Sequence, residues 1–139
     1  MSTPAVFPYL PMQRGAFPTT PTPLLPVRLT RGRVSINVTG LVDSGAMISV
    51  LPYGVGGQLG VNWQSLTQQT LVGGVGGGVP AKILTADGVV AGFPPVLLLF
   101  AWAASDDVPL VFGYANFFLE FDVCFYATRG EFTVAPRTP

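Results

Sequence analysis

Apolar and polar positions alternate along VRLTRGRVSINV, residues 27–38: Val34, Ile36 and Val38 fall on one face, Ser35 and Asn37 on the other. A period of two is the mark of a half-buried strand, and Arg31-Gly32 between the two halves supplies a turn, so the segment predicts a β-hairpin. MISVLP, residues 47–52, reads as a further short strand. QQTLVGGVGGGVPAKIL, residues 68–84, has β-formers on both sides of a glycine-dense centre and predicts a long hairpin with a pliable tip. PVLLLFAWA, PLVF and FDVCFY are buried-strand candidates, Asp87-Gly88 reads as a hairpin turn, and GEFTVAP closes the chain as a last strand. Helical periodicity is nearly absent: one short helix fits around Asn116–Phe121 and a weaker turn near Gln58–Trp63. The pattern predicts an all-β fold.

Composition changes this picture at one end. Residues 1–26 hold seven of the fourteen prolines, no acidic residue and one base, Arg14. They read as an extended, polyproline-prone leader: a disordered segment, a strand-exchange arm, or a ligand for a proline-recognition module. The folded domain is then expected over 27–136, with a short tail at 137–139, and 139 residues suffice for one domain. Seven basic residues balance seven acidic ones without a basic run, so the charge pattern of a nucleic-acid binder is missing. Mean hydropathy is +0.51, but the richest run, Val96–Ala104, is too short to span a bilayer. Prolines 4, 8 and 11 interrupt what would be the apolar core of a signal peptide. A cytoplasmic protein, without a membrane partner, is expected.

The chemistry is narrowed most by histidine, of which there is none. Nucleophile systems that rely on an imidazole base are excluded, and the commonest zinc ligand is absent. The single cysteine, Cys124, lies in an apolar run and is expected in the core. Carboxylates remain as the agents of any catalysis. Asp43 stands out, because it follows Leu41-Val42 where a strand runs inward, and a buried carboxylate without a partner is costly. In Asp43-Ser44-Gly45-Ala46, Gly45 permits unusual dihedrals, Ala46 permits close backbone approach, and Ser44 can donate a hydrogen bond beside the acid. Asp-Ser-Gly alone is also an ordinary turn. Asp106-Asp107 reads as a solvated loop, Glu120 and Asp122 as the exposed side of a helix-to-strand junction, and Trp63 and Trp102 as core or cleft wall.

Three segments in order make the loop more specific. Leu41–Ala46, the glycine-rich Leu71–Val79 and PLVFGYANFF resemble, over about residues 27–136, the retropepsins, single-domain aspartic peptidases of retroviral type. The resemblance implies a closed β-barrel with a flap hairpin and one short C-terminal helix. It implies that Asp43 is catalytic and that Ser44, Gly45 and Ala46 support the active-site loop. It further implies that Val72, Gly73, Gly74, Val75, Gly76, Gly77 and Gly78 form the flap and that Val111, Phe112 and Gly113 pack against the loop. No metal or cofactor is implied. Two chains would meet about a two-fold axis so that Asp43 faces its symmetry mate, the pair sharing one proton and hydrolysing an extended peptide. Viral members carry an acid after the Ala and an Arg after the late Gly, where this chain has Met47 and Tyr114; the spacing from Gly113 to Phe117-Phe118 is similar to bacterial and cellular relatives. The alternative is a catalytically silent module of the same fold that binds a peptide or serves as a dimerisation unit.

Overall fold

Strands begin earlier in the chain than the proline content suggests. The computed structural model describes residues 3–73 and 77–138. Within the stretch expected as a leader it places β1 (Ala5–Pro8), β2 (Leu10–Met12) and β3 (Thr20–Thr22). Prolines are tolerated there because all three strands are edges, which need hydrogen-bond donors on one side only. In the β2–β3 hairpin Pro11 faces Pro21, a pairing in which neither residue has an N–H to give. β1 is anchored by packing: the Phe7 ring stacks on Phe132 with centroids 5.4 Å apart.

The alternating segment forms the hairpin of β4 (Leu24–Arg31) and β5 (Val34–Val42), which turns through Gly32 at φ +59. β4 buries Leu25, Val27 and Leu29 in alternation. β6 (Ser49–Leu51) is buried throughout. A short helix, α1 (Tyr53–Gln58), stands next to the position where only a turn was expected. Its three glycines make it a poor helix on propensity. Packing holds it, since Gly56 lies so close to the Trp102 indole that a Cβ would overlap the ring. The glycine-rich hairpin consists of β7 (Gln69–Val72) and β8 (Val79–Val89); β9 (Val96–Ala103) follows. Then come β10 (Val111–Phe112), α2 (Phe117–Glu120), β11 (Phe121–Tyr126) and β12 (Glu131–Pro136).

Six strands close on themselves in the order β4-β5-β10-β6-β9-β8, β8 pairing back onto β4, while β7 extends β8 outward. This barrel bears out the all-β expectation, with the glycine-rich hairpin and the short helix near the C-terminus in place. Leu29, Leu84, Leu98, Phe100 and Phe112 fill its interior. A separate three-stranded sheet, ordered β1-β12-β11, packs against the barrel through Phe132, Val134 and Phe121.

Three expectations are corrected. Cys124 is exposed, because β11 turns Phe121 and Val123 to the core and Cys124 falls on the opposite face of the strand. Asp87-Gly88 is no turn: both residues lie inside β8, and the chain reverses at Ala91-Gly92. Gly88 serves instead as a close-approach point, buried between Leu98 and Val27. The proline-rich leader is folded rather than a tail, as described above. The two tryptophans also separate. Trp102 is core, its indole N–H donating to the Tyr53 carbonyl at 2.9 Å, and half-buried Trp63 packs edge-on against it at 5.0 Å. No helix among the described residues is long and apolar enough to cross a membrane.

Candidate active site

Asp43 follows the last residue of β5, where β10 lies parallel alongside with Leu41 opposite Val111 and Val42 opposite Phe112. This pairing continues one step past the strand, since the Asp43 N–H donates to the Phe112 carbonyl at 3.0 Å. The chain then turns tightly. The Ala46 N–H donates to the Asp43 carbonyl at 3.2 Å, and the Gly45 N–H donates to the Asp43 carboxylate Oδ1 at 2.9 Å. A Cβ at Gly45 would press on that oxygen at 3.2 Å. The loop thus orients the half-buried carboxylate with its own backbone. Ser44 is exposed beside it.

A second loop locks the first. The Tyr114 N–H donates to the Ala46 carbonyl at 2.8 Å and the Ala115 N–H to the Met47 carbonyl at 2.9 Å. Between them Gly113 is buried so tightly that a Cβ would fall on the Ile48 carbonyl and lie 3.0 Å from the Ala46 oxygen. The structure therefore brings Asp43–Ala46 together with Val111, Phe112 and Gly113. Met47 and Tyr114 are both exposed, and backbone hydrogen bonds join the two loops.

Sequence reasoning missed Ser49. Its side chain is buried, and its Oγ accepts the Gly113 N–H at 2.9 Å, satisfying a donor that has no strand partner. The available signal was a hydroxyl inside the otherwise aliphatic MISVLP.

Across from the loops, Leu71, Val72 and Gly73 line a cavity of about 380 Å³ with Ala46, Met47, Ile48 and Val50. Its floor continues into an apolar cluster of Val50, Ala103 and Val111, against which Leu41, Ala46, Val72 and Val79 pack. Gly73 and Gly77 sit at φ +118 and +122, a region that side-chain-bearing residues rarely adopt, so the turn of the hairpin depends on them. Gly78 packs closely on Leu71. The expected flap residues Gly74, Val75 and Gly76 lie outside the described residues. Two other acids are held elsewhere: Asp106 accepts the Gly54 N–H at 2.7 Å, and Glu131 pairs with Arg129 at 3.3 Å.

The chemistry this permits is limited and definite. One carboxylate can activate a water or deliver a proton, but amide hydrolysis needs both acts, and this loop supplies one acid.

No family model matches the sequence, and no curated protein matches it. Among solved structures, that of a retropepsin-like aspartic protease from Rickettsia conorii is similar, with a TM-score of 0.60 and 13% identity, covering 96% of this chain and 96% of the other. Identity at that level speaks for the fold, while function rests on the site. The chain has the retropepsin-like fold.

Proposed function

We propose that this protein is a homodimeric aspartic endopeptidase in which Asp43 of two copies forms the catalytic dyad. The observation that carries this reading is the placement of a single carboxylate, oriented by its own loop and braced by Val111–Gly113, in a loop whose Ala46 lines an apolar cavity together with Leu71, Val72 and Gly73 of the glycine-rich hairpin. A second copy supplies the missing group. Two carboxylates at hydrogen-bond distance do not both ionise, so the pair holds one proton. The ionised member takes a proton from the attacking water while the protonated member polarises the scissile carbonyl. An extended peptide suits the cleft, whose lining includes the apolar side chains of Met47, Ile48, Val50, Leu71 and Val72. Substituting Asp43→Asn is nearly isosteric and removes the dyad. Peptide hydrolysis should drop to background while the circular dichroism spectrum and melting temperature stay close to wild type; equal turnover in the two proteins would remove Asp43 from the mechanism.

A further inference from the structure

The β2–β3 hairpin, outside the barrel, shares a cavity with Leu41 of β5. At its tip the Phe17 N–H donates to the Arg14 carbonyl at 3.1 Å, and Gly15 adopts φ +54. Arg14 and Phe17 both line a cavity of about 220 Å³ whose walls include Met12, Pro18 and Leu41. That volume lies below the roughly 300 Å³ at which small-molecule sites begin, and it suits a single side chain. Leu41 connects this cavity to the apolar cluster beneath the cleft. It stands two residues before Asp43, faces away from the core that Val42 enters, and packs in the same apolar cluster as Val50 and Val72 of the cavity under the flap.

The chemistry of the cavity is one-sided. Arg14 is the lone charged residue of the first 26, it is exposed, and among the described residues it forms no ion pair. Phe17 beside it is 76% exposed. A guanidinium without a counter-ion over apolar walls complements a carboxylate on an aliphatic stem. We propose that the β2–β3 hairpin is an accessory subsite that selects an acidic side chain, glutamate above aspartate, on the peptide substrate. Because Leu41 lies about 7 Å along the strand from Asp43, the selected residue sits at least about two positions from the scissile bond. This proposal rests on the peptidase reading given above.

The test is the cleavage of a diverse peptide mixture by wild type, Arg14→Gln and Arg14→Glu, with Asp43→Asn as the blank. Each profile is read as the ratio of acidic to neutral residues at every position around the cut. Wild type should favour glutamate about fivefold at one position away from the bond, the scale of a partly exposed charge pair. Arg14→Gln should bring that ratio to about one, Arg14→Glu should turn it toward lysine and arginine, and added salt should weaken the wild-type preference. Unchanged profiles in an active Arg14→Glu enzyme would overturn the subsite and leave the peptidase reading standing. Unchanged profiles accompanied by a shift in the monomer–dimer equilibrium would assign the hairpin to contact with a second copy, which also overturns it. Cleavage no greater than the Asp43→Asn blank in every variant would overturn the peptidase reading, and the subsite with it.

Discussion

Asp43 was legible because an acid directly after two aliphatics, followed by small residues, conflicts with a plain strand. Ser49 was not, since one hydroxyl in a short strand reads as an outward position, and only the buried Gly113 N–H it receives gives it a role. Replacing Ser49 with Ala strands that donor in the interior, which costs about 1–3 kcal/mol. Urea titration should show a lower midpoint with an unchanged slope. Gly113→Ala places a methyl group on the Ile48 carbonyl and should destabilise the same junction, with a loss of activity that exceeds the loss of stability because the Asp43 loop is what shifts. Cys124 misled for the opposite reason: a small apolar residue flanked by Val123 and Phe125 reads as core, whereas β11 packs only one face on the core and Cys124 lies on the other. Its thiol should react with an aromatic disulfide reagent in the native protein as fast as in urea.

The central hairpins were readable at the level of elements, because alternation and glycine placement are local signals: β4–β5 turns at Gly32, and β7 and β8 flank the glycine-rich segment. Gly73→Val and Gly77→Val each force a β-branched residue into a conformation at φ near +120. If the hairpin covers the substrate, turnover should fall at least tenfold in steady-state assays while the melting temperature moves by only a few degrees. The elements that were not readable are the proline-bearing ones. Proline content marks a segment as non-helical and non-central, but it does not distinguish a tail from an edge strand, and that difference is decided by distant partners such as Phe132. Phe7→Ala should therefore lower stability by about 2–3 kcal/mol, a value suited to a half-buried aromatic. An unstructured leader would show no change at that position.

For the whole molecule, the proposed dyad requires two chains because the closed barrel holds one such carboxylate loop. β5, β10 and β6 converge to hold one carboxylate loop, and their hydrogen bonds fix that loop within a single chain. Two such loops sharing one proton predict a bell-shaped pH profile for hydrolysis on the acidic side of neutrality: rates fall in stronger acid, where both carboxyls are protonated, and toward alkali, where neither is. Sequence could not reveal the geometry of this convergence, since Asp43, Ser49 and Gly113 meet only through long-range strand pairing. The measurement that bears most directly on the shared dyad is a subunit titration, in which wild-type protein is held at a fixed concentration and Asp43→Asn chains are added, with mixed dimers verified by native mass spectrometry. Random pairing leaves about half the activity at equal amounts and about one tenth at a ninefold excess, because each wild-type subunit opposite an inert partner is silenced. Activity that stays constant while mixed dimers form would show that one Asp43 suffices, and would contradict the account.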